Sequence, residues 1–164
     1  MKIALVSPYD FAYPGGVVAH ISNLAHQLGK LGHTVKILAP VTSHGDVNVD
    51  NLIAVGCAIP VPSGGSGSVA RISLSIWRNR EVKSLLKDDV FDVIHLHEPL
   101  TPVLPLEVLS ASNAINVGTF HRFDRRGLLY QFAKYPLGHW FKKLDGHIAV
   151  SRSAFQYVSK HFPA

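Results

Sequence analysis

The chain has 164 residues, 47% of them apolar and 16% charged, and carries a formal net charge of +5. Its length suits one domain with a sizeable core, and its composition excludes a disordered chain. No apolar run of this chain is long enough to span a bilayer as a helix.

KIALVSP (2–8) is predicted as the first strand. It has neither the long apolar core nor the small-residue cleavage site of a signal peptide, so it reads as an interior strand. PYDFAYPGGVVAH (8–20) follows, with Gly15 and Gly16 where the apolar run turns into a helix. Val17, Ile21, Leu24, Leu28 and Leu31 repeat at helical spacing and predict that helix over 17–31, with Gly32 as its stop.

TVKILAP (34–40) is the second strand, and LIAVGCAIPVP (52–62) reads as one or two short strands. Cys57, the only cysteine, rules out an internal disulfide, points to a reducing compartment, and reads as a small core residue. PSGGSGS (62–68) reads as a mobile loop.

A second helix is expected over 74–87, then a strand at DVIHLHEP (92–99), a helix at 104–112, and a strand at INVGTFH (115–121). A helix at 128–143 and a strand at GHIAVS (146–151) follow, and Ser151 is placed to cap a last helix. The strands are continuous Val- and Ile-rich runs rather than alternating ones, as in a parallel sheet covered on both faces. The fold class is therefore α/β: one Rossmann-like, doubly wound, mostly parallel domain over 1–164.

Ligands of such sheets bind at the carboxyl ends of the strands. The segments there are Ser7–Gly16, Pro40–His44, His97–Pro99, His121–Asp124 and Ser151–Arg152. Glycines at a helix start let backbone N–H groups approach an anion; otherwise PGGV is a tight turn that needs positive φ. The spacing fits neither G-x-G-x-x-G nor a P-loop.

His95 and His97 share a strand face, with Glu98 at the strand end. With His121 they would give three Zn2+ ligands, but the preferred reading is one packed histidine, one histidine lining the cleft, and no metal. His121 is placed to donate to a sugar hydroxyl or phosphate oxygen, or to act as an acid or base. Nothing forms a nucleophile elbow. Arg71, Arg78, Arg80, Lys83 and Lys87 cluster near Trp77; Arg80, Lys83 and Lys87 share one helical face, as an anionic membrane surface or plain solvation would favour. Arg122, Arg125 and Arg126 add a second basic group. No nucleic-acid reading motif accompanies the charge, so no nucleic-acid partner is expected.

Several of these pieces coincide. The first strand ends in SPY, PGGV follows with His20 four residues after Gly16, and LxxxGHxVxxLAP, PVPSGGSGSVAR, FDVIHLHEP, TFH and GHIAVS come in that order. Over essentially the whole chain this resembles the N-terminal domain of retaining GT-B glycosyltransferases of family 4, and within them the phosphatidylinositol mannosyltransferases.

The resemblance implies one half of a two-domain enzyme, with a separate C-terminal donor-binding domain as partner and little activity for this part alone. It implies transfer of a sugar, such as mannose, from a nucleoside diphosphate (GDP-mannose or a UDP-sugar) to a hydroxyl of a lipid-linked or polyol acceptor. No cofactor or metal is obligatory. The location implied is cytoplasmic and peripheral at the inner membrane face.

Residue by residue, Gly15 and Gly16 match the loop that approaches the donor diphosphate. His121 matches the catalytic TFH histidine that contacts the donor sugar. Tyr9 and Arg71 match acceptor-pocket residues, and the basic helix carrying Arg78, Arg80, Lys83 and Lys87 matches the membrane-facing surface. Val18 and Arg122 stand where the mannosyltransferases carry a glutamine and a small hydroxyl residue. The alternative reading is a stand-alone nucleotide- or anion-binding Rossmann module without catalysis.

Overall fold

The computed structural model describes residues 1–42, 49, 51–62, 69–73, 79–121 and 128–162. Among the described residues, strands and helices run in the order β1 (Lys2–Val6), α1 (Gly16–Lys30), β2 (Thr34–Ala39), β3 (Leu52–Ala54), β4 (Ala58–Pro62), β5 (Val69–Ser73), α2 (Asn79–Asp88), β6 (Val93–His97), α3 (Leu104–Ala111), β7 (Ile115–Phe120), α4 (Leu128–Phe141), β8 (Gly146–Ala149) and α5 (Arg152–His161).

Six strands form one sheet in the order β3-β2-β1-β6-β7-β8, and every pairing in it is parallel. The Rossmann-like α/β class expected from the strand patterning is borne out. The order reverses between β1 and β6, which makes their carboxyl ends the topological switch point.

The pleat explains why these strands read as unbroken apolar runs. Ile3 and Leu5 of β1 pack with Val35 and Ile37 of β2 and with Ile21 of α1. Ala4 and Val6, on the opposite face, pack with Ile94 and Leu96 of β6, Leu104 and Val108 of α3, and Val158 of α5. Alternate side chains therefore enter different cores, and both faces must be apolar. The same alternation sends Val93 of β6 toward the α1 face while Ile94 and Leu96 face the other way. His95 and His97 follow Val93 onto the α1 face.

Ser151 caps α5 as expected: its Oγ accepts from the Ala154 N–H at 3.1 Å. Other expectations are corrected. The 52–62 run forms two short strands, within the expectation, but only β3 joins the main sheet; β4 pairs antiparallel with β5, a strand that sequence reading missed, in a separate ribbon. Pro60 and Pro62 cannot donate to a ladder, which suits a two-stranded ribbon rather than a central strand. Cys57 is exposed rather than in the core, because Val55 and Ala58 on either side take the buried positions. α2 begins at Asn79, and positions 74–78 of the expected helix lie outside the described residues, as do the Gly/Ser positions 63–68.

Candidate functional site

The loop after β1 is fastened down by a buried acid. Asp10, 2% exposed, accepts hydrogen bonds from the backbone N–H of Ala12 at 3.0 Å and of Thr42 at 3.2 Å, and from the Thr42 hydroxyl. This carboxylate ties the carboxyl ends of β1 and β2 together. Its backbone N–H also donates to Arg71 O of β5 at 3.0 Å, and Tyr9 forms an antiparallel bridge with Ile72. The β4–β5 ribbon is thereby docked against the loop. The Arg71 guanidinium lies 3.8 Å above the Tyr13 ring, a cation–π contact that aims the arginine. Tyr9 and Arg71, far apart in the chain, are thus neighbours.

Gly15 is the N-cap of α1 with φ −168°, an ordinary extended conformation, so the positive-φ turn reading of PGGV is overturned. Among the described residues no side chain caps this end, and no acidic residue lies in the first turn. A Cβ on Gly15 or Gly16 would meet nothing within 4 Å. Internal packing does not demand glycine here. What the glycines leave is a bare helix N-terminus with uncovered backbone N–H groups, which favours an anion. Val18, one turn in, is half-buried and packs against the α1-side core.

Four histidines converge beside this helix start. His95 Nε2 lies 2.6 Å from the Thr119 hydroxyl, and the His95 and His97 rings stack with centroids 4.7 Å apart. The shared strand face expected for this pair is therefore seen. His97 Nδ1 and His121 Nε2 are hydrogen-bonded at 2.9 Å. His20 on α1 sets its ring edge against both, with centroids 5.4 Å from His97 and 5.1 Å from His121.

The three inner imidazoles are held neutral. Burial, followed by the nearby charges of His20 and His121, lowers the His95 pKa to about 4. Burial and then His95, His121 and His20 push His97 to about 2. Burial and then His20 bring His121 to about 4. Each would be charged only by giving up hydration beside other imidazoles.

Glu98 positions His121. It is buried, sits in the left-handed region at φ 51°, and accepts the His121 backbone N–H on Oε1 at 2.6 Å. Its own N–H donates to Thr119 O at 2.8 Å, so one residue ties the ends of β6 and β7 together. His20, Glu98 and Asp10 are site residues that the sequence did not assign. The signals for His20 were its place one helical turn after Gly16 and its presence in the motif string.

Arg80, Lys83 and Lys87 are exposed on α2, as the basic-face reading expected. Arg78, Arg122, Arg125 and Arg126 lie outside the described residues. A separate cleft lined by Lys83, Lys87, Phe91, Ile94 and Asn113 opens at the amino ends of β6 and β7, opposite the histidine cluster. It is away from the switch point where such sheets bind ligands.

The helix N-terminus and the histidine cluster thus sit at the switch point of a Rossmann-like domain, where ligands of such sheets bind. Comparison with known proteins narrows this: the profile of Glycosyltransferase Family 4 matches residues 14–164, and the chain belongs to that family. Curated relatives include the phosphatidyl-myo-inositol mannosyltransferases of Mycolicibacterium smegmatis (38% identical over 92% of this chain and 38% of the relative) and of Mycobacterium tuberculosis (37% identical over 92% of this chain and 39% of the relative). That of Propionibacterium freudenreichii is 34% identical over 99% of this chain and 43% of the relative. The chain thus spans about two fifths of the length of the curated relatives it matches, with shares of 38% to 43%.

Proposed function

We propose that this chain is the acceptor-side domain of a retaining GT-B glycosyltransferase. The transfer moves mannose from a nucleoside diphosphate to a hydroxyl of a phosphatidylinositol-like lipid. A further domain, outside this chain, holds most of the donor. The observation that carries the reading is the juxtaposition of the uncapped α1 N-terminus with His121, bridged by His20 one helical turn from Gly16.

The chemistry follows from that pairing. As the anomeric C–O bond breaks, negative charge grows on the departing diphosphate. The first-turn N–H groups beyond Gly15 and Gly16 would meet that charge with fixed dipoles, at no cost of reorganisation. His121, kept neutral, offers hydrogen bonding to a sugar hydroxyl without placing a full charge beside the reacting carbon. The acceptor oxygen bonds to the anomeric carbon and its proton leaves to the diphosphate. Arg71, aimed by Tyr13, would hold the acceptor phosphate, with Tyr9 beside it. Val18 and Arg122 would tune which acceptor fits. The exposed basic face of α2, with Arg80, Lys83 and Lys87 and with Arg78 preceding it, would rest on an anionic membrane, placing the protein peripherally at the cytoplasmic side.

The test is sugar transfer from GDP-mannose and UDP-sugars to phosphatidylinositol, using the longer protein that contains this chain. His121→Ala should lower kcat by at least about two orders of magnitude. Undiminished transfer by that variant would sink the assignment. Tight nucleotide binding without transfer to any acceptor would favour the non-catalytic module instead.

A further inference from the structure

We propose that His20, His97 and His121 together bind one divalent first-row transition ion of the Zn2+ class. One ring nitrogen from each residue lies within 4.8 Å of the others. The residues come from three separate places: α1, the end of β6 and the end of β7. The tightest pair, His97 Nδ1 and His121 Nε2, is already 2.9 Å apart. Two imidazole nitrogens at about 2.1 Å from one zinc lie roughly 3.0–3.4 Å from each other, so this pair needs only a small spreading. His20 is exposed on the helix surface, so its ring is not locked by packing and one of its nitrogens already lies within 4.8 Å of the pair.

The donor set indicates which ion. Three imidazoles without a carboxylate suit Zn2+, Ni2+ or Cu2+, and disfavour Mg2+ and Ca2+, which take oxygen ligands. His97 and His121 are held neutral, so an entering ion displaces few protons.

With Nδ1 as the ligand atom, the buried His97 Nε2 carries the ring proton; it has no hydrogen-bond partner among the described residues, so no competing bond fixes the opposite tautomer. His95 is not a ligand, since its Nε2 is committed to Thr119. With His20 exposed and His121 half-buried, the fourth position is open to solvent, as in zinc sites that hold water or a substrate oxygen. The binding itself does not rest on the transferase reading. If that reading holds, the ion takes the His121 lone pair and competes with the sugar hydroxyl.

The test uses the purified, metal-stripped chain. Co2+ is titrated while its visible d–d absorption is followed, and Zn2+ affinity is measured against a chromophoric chelator. One ion per chain is expected. His20→Ala and His121→Asn should each weaken binding by about ten-fold or more. His26→Ala, an exposed histidine on the same helix, should bind as the parent does. Circular dichroism confirms that each variant is folded, which is why the buried His97 is left intact. Absence of a Co2+ band and of chelator competition in the parent would overturn the proposal. So would unchanged affinity in His20→Ala and His121→Asn, or an equal loss in His26→Ala.

Discussion

Mild acid should strongly destabilise this protein at a pH above that at which carboxylates titrate. The perturbation is a drop from about pH 7.5 to about pH 5 in buffer containing EDTA, so that the imidazoles carry no metal. His95, His97 and His121 have folded pKa values of about 4, about 2 and about 4, against 6.5 when unfolded. The folded pKa is the lower one in each case. The unfolded chain therefore binds protons first as pH falls. The stability these groups confer is complete above 6.5, and it is lost progressively below 6.5, toward about 4 for His95 and His121 and about 2 for His97.

At about pH 5 an unfolded histidine is almost wholly protonated while these three remain mostly neutral, a difference of about 2 kcal/mol per buried group. This figure barely depends on whether the folded pKa is near 4 or near 2. His95 and His97 together give about 4 kcal/mol; His121 is half-buried and screened, so it adds about 1 kcal/mol at most. A domain of this kind has about 5–15 kcal/mol in all, so the loss takes a large share. Urea unfolding followed by circular dichroism across this range measures it. A change below about 1 kcal/mol, or a loss that begins only below about pH 4.5 where carboxylates protonate, would refute the reasoning.

Substitutions at three positions separate structure from function. A Cβ on Gly118 of β7 would lie 2.9 Å from both the Leu144 Cδ1 and Pro99 Cγ atoms, so Gly118→Val should cost about 1–3 kcal/mol in urea unfolding; equal stability would mean this strand shifts freely. Glu98→Ala removes the acceptor of the His121 N–H and should cost about 1–3 kcal/mol, with a milder loss in Glu98→Gln, which keeps an acceptor oxygen. Equal losses in those two variants would mean the hydrogen bond contributes little. Gly16→Ala has open space for its methyl group and should be as stable as the parent or slightly more so, by up to about 1 kcal/mol. If the N-terminus of α1 meets the diphosphate, that same variant of the longer protein should still transfer sugar more slowly.

Much of the architecture was legible along the chain because the forces that set it are local or periodic. Unbroken Val/Ile runs report a sheet covered on both faces, the apolar spacing from Val17 to Leu28 reports α1, and Ser151 reports the start of α5. The carboxyl-end rule pointed to segments whose ends the fold brings together, those after β6 and β7 beside the start of α1. The β4–β5 ribbon was hidden, because prolines blurred β4 and its partner follows a Gly/Ser run. Cys57 misled because an apolar neighbourhood in sequence does not say which side of a turn faces water.

The sequence by itself determined the element types, the parallel α/β class and the family motifs, since each depends on residue type and spacing. Only the tertiary structure decided which residues meet. The strand order β1-β6-β7 brings the ends of β6 and β7 beside the first turns of α1. That crossover converts scattered histidines into one neutral cluster, buries Glu98 beneath His121, and leaves Gly15 and Gly16 as a bare helix end. The physical reason is that burial and mutual repulsion, which keep His95, His97 and His121 uncharged, are properties of neighbours in space and have no counterpart along the chain.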